Sequence, residues 1–194
     1  MEMSGEYVIA APRERVWAAL NDPEVLRRSI EGCEALDRLS DTSFAAKVVA
    51  RIGPVKAAFG GKVTLGDLDP PSSYTISGEG SGGGIGMARG SARVTLIDQG
   101  GATRLSYAVA AEVSGKLAQI GSRLVDSAAR KMADDFFGRF AAIAAEGAAP
   151  VGAIGAPSRR KARLGIDPRW AAVVAALMAA SGWVGFILGQ HAHP

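Results

Sequence analysis

The sequence has very few residues of the kinds on which most active sites and metal sites depend. Its 194 residues include one cysteine, Cys33, and two histidines, His191 and His193, both within four residues of the C-terminus. A single cysteine excludes an intrachain disulfide framework and any Cys-x-x-Cys pair. No residue before His191 can supply an imidazole as a base or a metal ligand. We therefore predict no catalytic residues, no metal site and a protein that is not an enzyme.

The excess of positive charge is confined to one short segment. Five basic residues between Arg159 and Arg169, against Asp167, give that segment a formal charge of +4, so the rest of the chain carries −1 of the net +3. A folded basic surface is therefore not supported, and we predict no nucleic-acid partner. The first residues, Met1 to Ser4, lack the basic region and apolar run of a secretory signal. We expect the domain to stay on the cytoplasmic side.

One long apolar run lies near the C-terminus. Trp170 to Gly189 is 20 residues without a charge, and at about 1.5 Å per helical residue it spans roughly the 30 Å core of a bilayer. The basic segment precedes it, which favours an N-terminal side in the cytoplasm. We predict a domain over 1–146, a flexible basic linker over 147–168 and a transmembrane or membrane-anchor helix over 169–190, tail-anchored in the cytoplasmic membrane. A buried helix, or one that docks on a partner, remains the alternative.

Hydrophobic periodicity within 1–146 predicts a strand, two helices, six strands and a long amphipathic helix. Turn residues such as Asp22-Pro23, Gly53-Pro54 and Pro70-Pro71 mark the boundaries. This order predicts an α+β fold in which an antiparallel sheet of six to seven strands curves around the C-terminal helix. The predicted elements are a first strand from Met3 to Ile9, helices from Pro12 to Asn21 and Pro23 to Ser29, strands Cys33–Leu39, Phe44–Ile52, Val55–Leu68, Tyr74–Gly80, Ala88–Ile97 and Thr103–Val113, and a helix from Lys116 to Glu146.

Small residues interrupt the predicted inner face of the sheet. Ala46, Gly61, Gly78, Gly90 and Ala92 lie in phase with large apolar residues on the same strands. Small residues opposite a long helix either let the two layers approach closely or leave an apolar cavity. The pattern alone does not decide between these two structures.

Three features invite a chemical interpretation that the surrounding sequence does not support. The glycine-rich stretch Gly78–Gly86 lacks the Gly-Lys-Ser/Thr ending of a phosphate loop and precedes a strand, so we interpret it as a hairpin connection. Asp126 and the Asp134-Asp135 pair lie on an arginine-bearing helix, where carboxylates commonly form solvated ion pairs. Cys33 has no histidine within 1–146 to activate it, so we interpret it as a small packing residue.

Several motifs within about 1–146 resemble the CoxG family of carbon monoxide dehydrogenase subunits, which is part of the START-like, polyketide-cyclase-like (SRPBCC) superfamily. The run Gly115–Arg123 is the most specific of them. The others are Ala11–Trp17, Leu20–Pro23, Glu31–Glu34, Gly53–Lys56 with Phe59 and Lys62, Gly78–Gly80, Gly90–Ala92 and Thr103–Tyr107. The resemblance implies a helix-grip fold with a deep apolar cavity between the sheet and the last helix. It also implies association with a molybdenum-containing carbon monoxide dehydrogenase or related hydroxylase, and binding of a quinone.

These observations together predict a membrane-anchored binding protein for a lipophilic ligand such as an isoprenoid quinone, with no covalent cofactor, that recruits the dehydrogenase and links it to the quinone pool. A docking or assembly adaptor without a ligand is one alternative, and a cyclase-type enzyme is another. The residues predicted to line the ligand site are Phe44, Phe59, Tyr74, Ile76, Met87, Val94, Tyr107, Leu117, Ile120 and Leu124.

Overall fold

The computed structural model describes residues 2–146. Their order of elements is the order that the sequence predicts, a strand, two helices, six strands and helical C-terminal segments. The elements are β1 (Glu2–Ile9), α1 (Arg13–Leu20), α2 (Pro23–Ser29), β2 (Cys33–Ser40), β3 (Ser43–Ile52), β4 (Val55–Asp69), β5 (Ser73–Ser81), β6 (Met87–Asp98), β7 (Thr103–Val113), α3 (Lys116–Gln119) and α4 (Ser122–Ala145), with a 3-10 turn at Gly83–Ile85 between β5 and β6.

The seven strands form one antiparallel sheet in the order β1-β7-β6-β5-β4-β3-β2. Strands β2 to β7 follow one another as a meander, and β1 pairs with β7 at the far edge. Alternate residues of each strand are buried, for example Phe44, Ala46 and Val48 on β3. This period of two gives the sheet an apolar inner face, against which the helices pack. The predicted antiparallel sheet beside a long helix is confirmed.

Gly78 and Gly90 allow neighbouring strands of the sheet to approach closely. The two glycines face each other across β5 and β6. A Cβ atom at Gly90 would lie 2.3 Å from the carbonyl oxygen of Ala110 on β7, and one at Gly78 would lie 2.9 Å from that of Lys62 on β4. Glycine at these positions therefore lets neighbouring backbone come closer than a side chain would allow. At these two positions the absence of a side chain makes room for the backbone of a neighbouring strand.

Helices α1 and α2 close one end of the inner face. Asp22 begins α2, because its carboxylate accepts hydrogen bonds from the backbone amides of Glu24 and Val25, at 2.8 and 3.3 Å, and Pro23 occupies the first turn. The buried Thr103 hydroxyl donates to the carbonyl of Ala11 at 2.7 Å, which joins β7 to the chain ahead of α1.

The prediction of one continuous helix from Lys116 to Glu146 is wrong. The helical segment is broken at Gly121, whose φ of +97° and ψ of 141° lie outside helical geometry. A side chain would disfavour that φ, so glycine permits the break. The short α3 precedes it and α4 follows. Periodicity did not reveal the break, because the apolar spacing continues through it.

Helix α4 is fixed to the fold through its C-terminal half. The buried residues of that half include Phe136, Phe137 and Phe140. Leu124, in the first turn, is 46% exposed. The predicted linker over 147–168 and the predicted membrane helix over 169–190 lie outside the described residues. Within 2–146 no helix has both the length and the apolar character needed to cross a bilayer.

Candidate ligand-binding site

An apolar cavity lies between the sheet and α4. Its walls come from α1 and α2, from five neighbouring strands and from the middle of α4. Its volume is about 40 Å³. A cavity of roughly 150 Å³ is known to bind benzene, whereas one water needs about 10–15 Å³. As folded here, the cavity has room for water but not for an aromatic ring. The lining residues are Leu20, Leu26, Phe44, Val63, Leu65, Tyr74, Ile76, Val94, Leu105, Tyr107, Phe136 and Phe137.

Five of the ten predicted ligand-site residues line this cavity together: Phe44, Tyr74, Ile76, Val94 and Tyr107. They come from β3, β5, β6 and β7 and are all buried. The sheet registers predicted from the sequence therefore bring these five strand positions to one place. Whether these residues contact a ligand stays a prediction.

The other five predicted residues lie outside the cavity walls. Phe59 is buried on β4, its ring beneath Gly82. Leu117 is buried on α3. Ile120 and Leu124 lie over the β3–β4 turn, with Leu124 Cδ1 3.6 Å from the position that a Cβ of Gly53 would take. Met87 begins β6 and is 52% exposed. The structure thus places this second group around the broken start of the last helix.

Sequence analysis missed seven lining residues. Val63 and Leu65 on β4, and Leu105 on β7, are in phase with residues that the alternation had already turned inward, so period two was a sufficient signal for them. Phe136 lay on the predicted apolar stripe of the last helix. Leu20 lay on the predicted apolar side of the first helix. No periodic signal singled out Leu26 or Phe137, because only the packing of the helices brings them to the sheet.

An aromatic cluster joins α4 to the edge of the sheet. The Phe137 ring stacks on Tyr7 of β1 and on Tyr107 of β7, with centroids 4.3 and 5.3 Å apart. It also meets Phe136 edge-on at 4.9 Å. Aromatic pairs of this kind add about 0.5–1.5 kcal/mol beyond the area they bury. The cluster is a strong attachment for the middle of α4.

Polar contacts reinforce the same half of the helix. The Tyr7 hydroxyl donates to Asp134 Oδ1 at 2.7 Å. Arg15 of α1 donates to the carbonyl of Ala144 at 2.6 Å, and Arg139 pairs with Glu31 at 3.0 Å. Each of these three contacts involves a residue of α4 between Asp134 and Ala144. The C-terminal half is therefore the anchored half.

Burial keeps all three tyrosines protonated. Desolvation is the first cause that raises the pKa of Tyr7, Tyr74 and Tyr107 above the ordinary phenol value. The carboxylate of Asp134 raises the pKa of Tyr7 further, because it accepts the phenol proton and repels a phenolate. The cavity therefore presents neutral phenols that can donate hydrogen bonds.

The remaining candidates for chemistry lie outside the cavity walls. Asp135 forms an ion pair with Lys131, which lowers the pKa of that carboxyl group. Burial raises the pKa of the half-buried Cys33 thiol, so this cysteine has little thiolate character. Gly83–Ile85 forms a single 3-10 turn before β6, as expected of a hairpin connection. Within the described part of the chain, no group of three or more Asp, Glu, Cys or His side chains is placed to hold a metal ion.

An antiparallel sheet that packs against a C-terminal helix over an apolar cavity is the arrangement of the START-like, helix-grip fold. Solved structures support this fold. A conserved protein from Geobacillus kaustophilus is 28% identical, with a TM-score of 0.71 over 75% of this chain and 96% of that one. A START superfamily protein from Mycobacterium smegmatis is 12% identical, with a TM-score of 0.58 over 75% and 97%. The Zhui aromatase/cyclase of a Streptomyces species is 11% identical, with a TM-score of 0.55 over 79% and 99%.

The likeness to the last two structures shows the fold alone. The family is established by sequence, because residues 5–145 match the family described as CoxG, the G subunit of carbon monoxide dehydrogenase. The chain belongs to that family. Among proteins with curated descriptions, none matches the chain.

Proposed function

We propose that this protein is a binding protein, not an enzyme, that takes a lipophilic ligand such as an isoprenoid quinone into the cavity beneath α4. The observation that carries the proposal is the apolar cavity, whose twelve lining residues include no charged side chain. An apolar site stabilises an apolar ligand by removing it from water. Membership of the CoxG family supports a partner related to carbon monoxide dehydrogenase, a molybdenum-containing enzyme.

The cavity must enlarge before it takes a quinone ring. At about 40 Å³ it is smaller than the roughly 150 Å³ that accommodates benzene. The first turns of α4 are the part suited to move. Leu124 there is exposed, Val125 and Ala128 are only partly buried, and the break at Gly121 separates α4 from α3. The aromatic cluster holds the other half of the helix in place.

The membrane is the second proposed partner. The uncharged run from Trp170 to Gly189 and the basic segment before it support a C-terminal anchor with the domain in the cytoplasm. An isoprenoid quinone is almost insoluble in water, so a binding domain tethered at the bilayer shortens its path to a cytoplasmic dehydrogenase. This arrangement would link the enzyme to the quinone pool.

The test is the ligand content of the full chain purified from membranes. We expect organic extraction and mass spectrometry to detect about one isoprenoid quinone per chain. Ile76→Trp overfills the cavity and should abolish this content in a chain that circular dichroism shows to be folded, whereas Ser77→Trp, on the exposed side of the same strand, should keep it. A chain that is empty and does not take up added quinone would refute ligand binding.

The small volume of the closed cavity favours a second candidate, a docking adaptor that positions the dehydrogenase without a ligand. Removal of 147–194 should then release dehydrogenase activity into the soluble fraction. Ile76→Trp should leave electron transfer from the enzyme to the quinone pool unchanged. The binding protein proposed above requires that the same substitution reduce this transfer.

A further inference from the structure

Tyr74 is one of two phenols in the otherwise apolar lining of the cavity. Its side chain is 3% exposed and borders the cavity. Its ring meets Trp17 edge-on, with centroids 5.3 Å apart, which fixes the ring on one side. Tyr74 is paired with Val94 across β5 and β6, so its position in the sheet is set by the ladder.

No described residue hydrogen-bonds the Tyr74 hydroxyl. The cavity's other phenol differs, because Tyr107 interacts with the Tyr7 hydroxyl, which in turn donates to Asp134. A buried hydroxyl without a partner costs about 1–3 kcal/mol. A molecule in the cavity that offers an acceptor would remove that cost. The Tyr74 hydroxyl is therefore a hydrogen-bond donor that a ligand in the cavity can use.

The surroundings of Tyr74 restrict the kind of acceptor. Its neighbours in the wall include Phe44, Val63, Leu65 and Ile76, and the lining has no cation to pair with an anion. A carboxylate or phosphate would be buried without a counter-charge, at a cost far above the gain from one hydrogen bond. Burial of a neutral carbonyl group costs little free energy once a donor forms a hydrogen bond to it. The wall therefore fits an apolar molecule with a neutral carbonyl oxygen.

We infer that Tyr74 is the specificity-determining residue of this cavity, and that its hydroxyl donates to a carbonyl oxygen of the bound ligand. The inference rests on the proposed function and deepens it, because it selects ketones and quinones over hydrocarbons and fatty acids. Burial raises the pKa of Tyr74, so the phenol remains a donor throughout the physiological range.

The test compares three ring compounds of similar size on the full chain by equilibrium dialysis. These are 2,3-dimethyl-1,4-naphthoquinone, 2,3-dimethylnaphthalene and 2-naphthoate. We expect Tyr74→Phe to weaken binding of the quinone by about 3- to 10-fold, the range that one net hydrogen bond provides. The same substitution should leave the affinity for the hydrocarbon within about 2-fold. Ser77→Ala, which removes a hydroxyl group from the exposed side of the same strand, is the control and should leave the quinone-to-hydrocarbon ratio unchanged.

Infrared difference spectra provide a second measurement. A hydrogen-bonded carbonyl absorbs at lower wavenumber, so the bound quinone should show a shifted carbonyl band with the unsubstituted chain and an unshifted band with Tyr74→Phe. An equal effect of Tyr74→Phe on quinone and hydrocarbon, or tighter binding of the naphthoate, would overturn the role of Tyr74 while leaving ligand binding intact. Failure of all three compounds to bind the unsubstituted chain would overturn the proposed function as well.

Discussion

Filling the cavity should stabilise the chain without a ligand. Val94 lines the cavity between Tyr74 and Tyr107 on the neighbouring strands. Val94→Ile adds one methylene group and keeps the β-branch that suits a strand. Burial of one methylene contributes about 0.8 kcal/mol. Complete filling of about 40 Å³, at roughly 24 cal/mol per Å³, gives about 1 kcal/mol. The two estimates agree, so we expect a gain of about 0.5–1 kcal/mol.

Urea unfolding of the ligand-free chain, followed by circular dichroism, measures this gain. A rise in the melting temperature of about 2–4 °C should accompany a gain of 1 kcal/mol. Val8→Ile, at a strand position that is 65% exposed, is the control and should change the free energy of unfolding by less than about 0.5 kcal/mol. Val94→Phe should overfill the cavity and cost about 1–3 kcal/mol. Loss of stability in Val94→Ile, or a gain in Val94→Phe, would refute the reasoning from the volume.

Three further predictions concern the helix, the tyrosines and the glycines. Phe137→Ala should lower the free energy of unfolding by about 3–5 kcal/mol and Leu124→Ala by less than about 1 kcal/mol, in urea unfolding; similar losses would contradict the difference between the two halves of α4. The raised pKa of all three tyrosines contributes stability that is complete below pH 10 and is lost as the pH rises above it. Absorbance at 295 nm should therefore show no tyrosinate near pH 10 in the folded chain, and a normal titration there would refute their burial. Gly138→Ala, in α4 with open space around it, should add about 0.5–1 kcal/mol, whereas Gly90→Ala should destabilise the chain because its Cβ would meet the Ala110 carbonyl; the reverse order in thermal melts would contradict the strand spacing.

The strands and their order could be predicted because their signals are local. Alternation along Thr103–Val113 identified the inward residues Leu105, Tyr107 and Val109, all of which are buried. Proline and glycine pairs marked where strands end, as at Gly53-Pro54 between β3 and β4. A meander joins each strand to its neighbour in sequence, so little long-range information was needed.

The cavity could be predicted only in part, because its helical walls depend on where α4 crosses the sheet. Periodicity identifies the apolar face of a helix but not the point along it that lies over a given strand. The prediction chose Ile120 and Leu124 near the start of the helix. The structure brings Phe136 and Phe137 to the cavity instead, more than two turns further along. The break at Gly121 was not predicted either, because a positive φ at one glycine does not change the spacing of the apolar residues.

The position of the anchored residues on α4 determines which part of the helix can move at the lower cost. Phe137 borders the cavity and belongs to the aromatic cluster, so movement there would break the stacking with Tyr7 and the hydrogen bond from Tyr7 to Asp134. Displacement of Leu124, already exposed, breaks fewer buried contacts. The part of α4 that moves at the lower cost is therefore its start, beside the β3–β4 turn and outside the present cavity walls. Under the proposed function, a ring would enter past the first turns of α4, and its carbonyl would meet the hydroxyl of Tyr74, whose backbone the sheet holds in place.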